Sequence, residues 1–295
     1  MTDYFEGWYF KQQSAREMIA FIVAWHTRHG RKTGSVQIVT PDKSWFIELP
    51  GSDIAAGREA LLIRAGDSTF SKDGLEVNIR GRDIAVTGRL SFGKPASPRG
   101  DIMGPYRFVP FMECRHSVFS LAHRVSGSLT VNGHCLDFTD GSGYIEGDRG
   151  RSFPGRYIWT QCIDDGKTTG HSGLCSLMLS VADVRPFGIP FIGIVGFVYF
   201  KGTEHRIATY RGAKLVSAGN GAVTVRQGDD TLTAQLLDGG ANPHITGQVL
   251  RAPVSGDMAR HIKESLKCRA RYIFTRKERV LFDFVTEKAS FEYEF

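Results

Sequence analysis

The chain has 295 residues, of which 41% are hydrophobic and 11% aromatic. This length predicts about two domains of ordinary size, and the apolar content excludes a disordered chain. The formal net charge is +6, but the basic residues are scattered among acidic ones. Because a nucleic-acid-binding protein would cluster Lys and Arg along one stripe, we expect no nucleic-acid partner. The 5 cysteines form no CxxC pair, which argues against a disulfide framework and a zinc ribbon.

The segment MTDYFEGWYFK contains acidic residues and no apolar core, so it lacks the pattern of a signal or transit peptide. The most apolar stretch, Phe187–Phe200, is shorter than the ~20 residues that a membrane-spanning helix needs, and Gly and Pro interrupt it. We interpret it as a buried strand. We therefore expect a cytoplasmic protein with no transmembrane segment.

Short runs in which apolar and polar side chains alternate recur along the chain, and turn signals separate them. In chain order they are Met18–Trp25, Gly34–Thr40, Trp45–Leu49, Leu75–Ile79, Ile84–Phe92, Gly127–Val131, His134–Thr139, Tyr157–Ile163, Leu174–Val181, Arg206–Tyr210, Ala222–Arg226, Thr231–Leu237, Ile245–Leu250, Cys268–Thr275, Val280–Thr286 and Ser290–Tyr293. Hairpin turns are indicated at Lys72–Gly74, Asn132–Gly133, Gly219–Gly221 and Gly228–Asp230. About twenty short strands predict an all-β fold of antiparallel sheets, closed or stacked into barrels or sandwiches.

One segment, Gly256–Leu266, has the pattern of a helix instead. Asp257 is placed to act as its N-cap, and Met258, Ile262 and Leu266 are spaced four apart on one helical face. We expect this helix to brace or plug the end of a barrel.

The predicted domain boundary falls near Phe153–Arg156, which gives domains of residues 1–154 and 155–295. Each has the size of one barrel of about eight to ten strands. The sequence therefore predicts two antiparallel β-barrels in tandem, with one short helix near 256–266 in the second.

Ionisable side chains interrupt the aromatic and Pro-rich segment GPYRFVPFMECRH, Gly104–His116. Unpaired charges are costly in apolar surroundings, so we expect them to be paired or used. Glu113 and His116 face opposite sides of a regular strand, but Pro110 favours an irregular backbone. If both side chains reach one cavity, they can deliver or accept a proton near neutral pH. Alternatively, Glu113 pairs with an arginine such as Arg115 and closes a barrel rim.

A second charged segment is GYIEGDRGRSFP, Gly143–Pro154. In an extended backbone Glu146 and Asp148 share a face, with Cβ atoms roughly 6–7 Å apart. Two close carboxylates repel each other as anions, which favours one of them remaining protonated as a general acid. Arg149 or Arg151 would hold the other one ionised. The alternative is a charged, Gly-rich turn held together by pairs of Arg with carboxylates.

Trp159 and Gln161 share a face of the next predicted strand, where they line a cavity or belong to the core. No metal-ligand set is predicted, because His26 and His29 lie in a turn-like segment with no third ligand nearby. Gly-rich phosphate loops and a GxSxG nucleophile motif are absent from the sequence, which disfavours a Ser hydrolase.

Several motifs of the chain resemble those of the tocopherol cyclase-like family. They are FEGWYFK (Phe5–Lys11), GPYRFVPFME (Gly104–Glu113), DFTD (Asp137–Asp140), YIEGDRGRSFP (Tyr144–Pro154) and WTQC (Trp159–Cys162). The resemblance implies a double lipocalin-like β-barrel, shared more distantly with carotenoid 1,2-hydratases and certain Diels–Alderases. It also implies chemistry in an apolar cavity, where plant members protonate a prenyl double bond and close a chromanol ring.

The chain departs from the plant pattern at Arg149, where plant members carry a Trp. A cation then stands where an aromatic wall could steady a carbocation. We therefore expect a substrate other than a tocopherol precursor.

Together, the motifs predict a cofactor-independent enzyme that acts on a hydrophobic, isoprenoid or polyketide-like molecule in a barrel cavity. The expected reaction is acid-initiated cyclisation, hydration or isomerisation of a C=C bond, with Glu146 or Glu113 as the acid. The residues expected to tune that acid or contact the ligand are Asp148, His116, Arg149, Tyr144, Phe111, Trp159 and Gln161. The alternative is a non-catalytic lipocalin-like protein that binds a lipophilic ligand.

Overall fold

The computed structural model describes residues 3–57, 60–110, 112–167, 169–170, 173–185, 188–238 and 247–295. Strands predominate in these residues. The helical structure within them consists of short 3₁₀ segments such as Gly51–Asp53, Gly104–Phe108 and Thr209–Arg211. The prediction of an all-β fold is therefore confirmed.

The first antiparallel sheet has twelve strands. They are β1 (Tyr4–Gln13), β2 (Met18–Arg28), β3 (Arg31–Val39), β4 (Ser44–Pro50), β5 (Ile54–Ala56), β6 (Leu62–Ala65), β7 (Ser68–Ser71), β8 (Gly74–Arg80), β9 (Ala85–Phe92), β10 (Cys114–Val131), β11 (His134–Asp137) and β12 (Gly141–Gly150). The order across the sheet is β4-β3-β2-β1-β12-β10-β9-β8-β7-β6-β5, and β11 pairs with β10. Strand β12 thus lies between β1 and β10.

The second antiparallel sheet has ten strands. They are β13 (Tyr157–Asp164), β14 (Cys175–Val184), β15 (Phe191–Phe200), β16 (Thr203–Ala208), β17 (Lys214–Gly219), β18 (Ala222–Gln227), β19 (Asp230–Leu236), β20 (Gln248–Val254), β21 (Asp257–Arg276) and β22 (Arg279–Glu294). The order is β16-β15-β14-β13-β22-β21-β19-β18-β17, and β20 pairs with β21.

Tight turns connect most neighbouring strands, and two of them use the predicted Asn-Gly sequence. Asn132 and Asn220 have φ angles of 50° and 51°. Asn tolerates this left-handed region, and the Gly that follows it adopts it without strain. These turns explain why strands that are adjacent in sequence pair with each other.

Each sheet packs one face around an apolar core. In the first core, Phe10 lies opposite Phe21 on one side and Ile145 on the other. In the second core, Ile158 and Cys162 pack with Tyr272. Full burial of a side chain of this size contributes about 1.5–3 kcal/mol relative to exposure.

The chain divides into two compact units that are each built from several segments. The first consists of Met1–Pro98, His116–Phe153 and Leu250–Arg260, and the second of Arg99–Arg115, Pro154–Val249 and His261–Phe295. No described helix has the length and apolar composition needed to cross a lipid bilayer.

The helix predicted over Gly256–Leu266 is wrong, because Gly256 lies in a turn and the residues after it belong to the long strand β21. Met258, Ile262 and Leu266 are buried, as predicted. A spacing of four residues places side chains on one face of a strand as well as a helix, so it could not separate the two. Pairing with β20 and β22 satisfies the backbone of β21 and decides the outcome.

Candidate functional site

The candidate site lies on the outer face of β12, opposite the apolar core. Ile145 points into the first core, so Tyr144, Glu146 and Asp148 point to the other side of the sheet. Tyr144 is fully buried and Glu146 is 5% exposed. The two carboxylates share a face, as an extended backbone requires. They lie on the face of β12 away from the first apolar core, and not in a cavity of that core as expected.

A histidine from the neighbouring strand β10 joins the two carboxylates. Nδ1 of His116 lies 2.9 Å from Oδ1 of Asp148, and its Nε2 lies 3.2 Å from Oε2 of Glu146. Tyr144 donates a hydrogen bond of 2.6 Å to the same Oε2 atom. We call His116, Glu146, Asp148 and Tyr144 the outer-face cluster.

The surroundings of His116 keep its imidazole ring charged. Burial disfavours the charged form and is the largest single influence, but the charges and hydrogen bonds of Asp148 and Glu146 together outweigh it. The pKa of His116 is therefore raised well above 6.5. At neutral pH His116 is therefore an imidazolium next to the side chains of Glu146 and Asp148.

The phenol of Tyr144 stays neutral in the same surroundings. Burial raises its pKa well above 10, and the charges of Glu146 and Asp148 raise it further. A neutral phenol remains a hydrogen-bond donor, so Tyr144 orients the carboxylate of Glu146 instead of competing with it as an anion.

Two residues of β1 extend this face, and sequence reasoning missed both. Tyr9 lies opposite Glu146, and Lys11 lies opposite Tyr144. Tyr9 is 8% exposed and Lys11 is fully buried. A buried ammonium group next to a cluster of carboxylates is rare outside functional or paired sites. The signal in the sequence was a Lys within the apolar run FEGWYFK.

Arg149 does not belong to the outer-face cluster. It follows Asp148 in an extended strand and so points to the opposite side, where it is exposed. Glu6 lies opposite it on β1. Burial raises the pKa of Glu6, and the charge of Arg149 offsets only part of that increase. The expectation that Arg149 tunes Glu146 or Asp148 is therefore not supported by its position.

Glu113 lies outside the cluster as well. It precedes β10 and is exposed, while His116 is largely buried within the strand. Arg115 donates a 3.1 Å hydrogen bond to the carbonyl oxygen of Val109, which fixes the turn before β10. The sequence analysis grouped His116 with Glu113, and Glu146 with Asp148. In the structure His116 instead contacts Glu146 and Asp148, and Glu113 lies apart from them.

The remaining predicted contacts lie on β13 or outside the described residues. Trp159 and Gln161 are buried, on the face of β13 opposite Ile158 and Cys162 of the second core. Phe111 lies outside the residues that the structure describes.

The expectation that no metal-ligand set forms is not tested by the structure, but three of the cluster's side chains are spaced as metal ligands could be. Donor atoms of His116, Glu146 and Asp148 all lie within 4.8 Å of one another. However, both ring nitrogens of His116 already face carboxylate oxygens, and its raised pKa favours a proton on the ring. A metal ion needs a deprotonated ring nitrogen as its ligand. The arrangement therefore fits a proton better than a metal ion.

No protein-family model matches the chain, and no curated protein matches its sequence. Several solved structures do match it. A protein assigned as AttH from Nitrosomonas europaea is 12% identical with a TM-score of 0.52, and the match covers 100% of this chain and 93% of that one. Kievitone hydratase from Nectria haematococca is 9% identical with a TM-score of 0.55, covering 99% and 89%. CghA is 10% identical with a TM-score of 0.57, covering 99% and 88%. At these identities the likeness shows a shared fold, and it supports the double lipocalin-like architecture implied by the motifs.

Proposed function

We propose that the outer-face cluster is the acid–base site of a cofactor-independent enzyme that acts on a C=C bond of a hydrophobic molecule. The observation that carries this proposal is the chain Asp148–His116–Glu146–Tyr144, buried at Glu146 and Tyr144, in which a charged imidazole contacts two carboxylates. Such a chain can give up a proton and take one back within a single site.

Glu146 is the proposed proton donor, and His116 is its proton source. Transfer of the proton from Nε2 of His116 to Oε2 of Glu146 yields a neutral carboxylic acid and a neutral imidazole. The two atoms are 3.2 Å apart but are not aligned as a hydrogen bond, so the transfer requires a small rotation of the ring or of the carboxylate. Asp148 holds the other ring nitrogen at 2.9 Å and so keeps the ring beside Glu146.

The acid adds its proton to one carbon of the double bond, and the other carbon becomes cationic. Attack by a hydroxyl of the substrate closes a ring, and attack by water gives the hydrated product. In both cases the proton released by the attacking oxygen returns to the cluster. Loss of a neighbouring C–H proton moves the double bond instead. The carboxylate of Asp148 and the aromatic ring of Tyr9, which share this face of the sheet, would stabilise the cation.

Two observations support a hydrophobic substrate. Tyr144 and Glu146 are buried from water, and the motifs resemble those of the tocopherol cyclase-like family. One structure that shares the fold is a hydratase by name, which supports hydration as one of the candidate reactions. We infer an isoprenoid or polyketide-like substrate class from the same resemblance. Cyclisation, hydration and isomerisation all begin with the same protonation.

Deuterium transfer tests the proposal for any of the three products. The protein is incubated in D₂O with a panel of prenylated phenols and polyenes, and products are analysed by mass spectrometry. We expect one non-exchangeable deuterium in the product, and loss of about 10²–10⁴-fold in its rate of formation for Glu146→Gln. Glu113→Gln is the matched control, because Glu113 is exposed and outside the cluster.

The competing function is that of a lipophile-binding protein without chemistry. Native mass spectrometry would then show a lipophile that binds wild-type protein and Glu146→Gln alike and leaves without deuterium. That result, or an unchanged rate in Glu146→Gln, would reject the enzymatic proposal.

A further inference from the structure

An open pocket of about 530 Å³ lies in the second unit, formed by residues that the proposed reaction does not use. The 3₁₀ segment Gly104–Phe108 contributes to its wall. Arginines outnumber acids four to one in its lining, which includes Arg99, Arg107, Arg206, Arg211 and Asp101.

Arg206 forms the rigid base of this pocket. Its side chain is 4% exposed and pairs with Oε1 of Glu204 at 2.6 Å. It also donates hydrogen bonds to the backbone carbonyl oxygens of Asp101 and Arg99, at 2.9 and 3.3 Å. A buried guanidinium group with all these partners fixes the backbone of the neighbouring loop.

Tyr210 fixes the same loop from its other side. Its hydroxyl donates a 2.9 Å hydrogen bond to the carbonyl oxygen of Ile102. Gly104 has a φ angle of 52°, and a Cβ atom there would lie 2.5 Å from Cζ of Tyr210. Tyr106 packs edge-on against the Tyr210 ring at 5.6 Å. The pocket wall is therefore held in one position before any ligand arrives.

The other three arginines add positive charge to the pocket. Arg99, Arg107 and Arg211 are exposed, and among the described residues none of their guanidinium groups has a carboxylate partner. Glu204 is already occupied by Arg206 and by the backbone N–H of Arg99, which donates at 2.6 Å. Oδ1 of Asp101 accepts the backbone N–H of Met103 at 2.8 Å.

We propose that this pocket binds a phosphate or diphosphate group. Guanidinium groups bind the oxygens of phosphate through paired hydrogen bonds, and a concave surface of one charge concentrates anions. Three exposed guanidinium groups suit a group with several negative charges better than a single carboxylate. The volume lies within the range of about 300–1,000 Å³ that is usual for small-ligand sites.

The phosphate group has two candidate sources, an anionic lipid and a free organic phosphate. Phe108 is 73% exposed, next to Arg107, whose guanidinium carbon lies 4.5 Å from the Phe108 ring centre. An exposed aromatic ring at the rim of the pocket would enter the interface of a membrane if the phosphate belonged to a lipid.

Titration calorimetry of the 295-residue chain with inorganic pyrophosphate, at low ionic strength, tests the pocket directly. We expect saturable binding that weakens by roughly tenfold or more in the triple variant Arg99→Gln, Arg107→Gln, Arg211→Gln. The control variant Arg64→Gln, Arg80→Gln, Arg226→Gln removes the same charge from exposed arginines elsewhere and should bind like wild type. If the first variant unfolds, Arg→Lys substitutions at its three positions keep the charge, remove the planar fork and should still weaken binding several-fold.

Vesicle sedimentation distinguishes the two sources. Binding to vesicles of phosphatidylglycerol and phosphatidylcholine, but not of phosphatidylcholine alone, supports the lipid if the pocket variant abolishes it and the control variant does not. Pyrophosphate binding without vesicle binding supports a free phosphate. The proposal is overturned if neither ligand binds, or if both triple variants weaken binding equally. These outcomes do not depend on the activity of the outer-face cluster.

Discussion

Tyr144 donates a 2.6 Å hydrogen bond to Oε2 of Glu146, two residues further along the same strand. Residues two apart share one face of a strand, so extended backbone alone brings the two side chains together. His116 reaches the same oxygen from the neighbouring strand at 3.2 Å. Oε2 of Glu146 therefore faces a phenol and an imidazolium, and a proton stays close to this carboxylate whichever group carries it.

Replacing Tyr144 with Phe tests the positioning role of the phenol. The variant leaves the carboxylate of Glu146 without this donor in a buried site, and we expect a loss of about 1–3 kcal/mol in the free energy of unfolding. We also expect deuterium transfer to slow by about tenfold, which corresponds to about 1.4 kcal/mol in the barrier. Urea unfolding and single-turnover rates measure the two effects.

Tyr157→Phe is the matched control for this experiment. Tyr157 donates to the carboxylate of Glu292 within the second unit, so the variant removes the same kind of hydrogen bond away from the outer-face cluster. It should lower stability and leave the rate of deuterium transfer unchanged. Equal loss of rate in both variants would show that Tyr144 acts through stability alone.

The raised pKa of His116 predicts a pH dependence of stability with a defined sign. Below about pH 6.5 both the folded and the unfolded chain bind the proton, and the contribution of His116 is fully present. Above that pH only the folded state keeps the proton, so stability falls as the pH rises toward the folded-state pKa. The slope is at most about 1.4 kcal/mol per pH unit. Urea unfolding of wild type and His116→Asn between neutral and alkaline pH should show this difference.

His123 provides the opposite case in the same sheet. Burial lowers its pKa to about 3, so the folded state keeps the ring neutral. Its contribution is present above about pH 6.5 and is lost as the pH falls toward 3, because only the unfolded chain then takes up a proton. Three results together would assign the effect to His116. Stability falls on the alkaline side in wild type, it falls in the same way in His123→Asn, and it does not fall in His116→Asn. The same slope in all three proteins would contradict the assignment.

Alternation along the strands was sufficient to predict the all-β fold and the shared face of Glu146 and Asp148. Both follow from the two-residue period of extended backbone. The period could not show which side of β12 faces the core, because Tyr144, Ile145 and Glu146 are all buried. With both faces buried, the strand lacks the polar side from which its orientation could be recognised.

The partner of the carboxylates could not be predicted for a different reason. His116 contacts Asp148 across 32 residues, and that contact depends on β10 pairing with β12. Glu113 is only three residues from His116 in the sequence, so local spacing favoured it as the partner of His116. In the structure, however, Glu113 lies before β10 begins. The pairing of strands that are distant in sequence depends on the arrangement of the whole sheet. A local sequence pattern therefore does not predict it.

Metal ions should oppose the reaction and not assist it. Since His116 holds a proton between Glu146 and Asp148, Zn²⁺ must displace that proton to bind a ring nitrogen. We expect treatment with EDTA to leave deuterium transfer unchanged, and added Zn²⁺ to inhibit it more strongly as the pH rises. Asp148→Asn should reduce this inhibition. Activity that is lost with EDTA and restored by Zn²⁺ would instead identify the cluster as a metal centre.

Gly147, between the two carboxylates, is required for the packing beneath them. A Cβ atom at this position would lie 2.7 Å from the backbone oxygen of Gly7, 3.1 Å from Cδ1 of Trp8 and 3.2 Å from Cε2 of Phe119. The backbone oxygen belongs to the β1–β12 ladder and cannot move aside without breaking it. We therefore expect Gly147→Ala to destabilise the protein by about 1–3 kcal/mol and to shift Glu146 and Asp148 relative to His116.

Thermal unfolding and the deuterium assay measure these two consequences of Gly147→Ala. Gly219→Ala is the control, because a Cβ atom at Gly219 would have no neighbouring atom within 4 Å and its φ angle is not in the left-handed region. The control should lie within about 0.5 kcal/mol of wild type, as surface substitutions usually do. If Gly147→Ala is equally harmless, the sheet must relax at β12, and tight packing against Trp8 and Phe119 cannot be what holds the carboxylates in place.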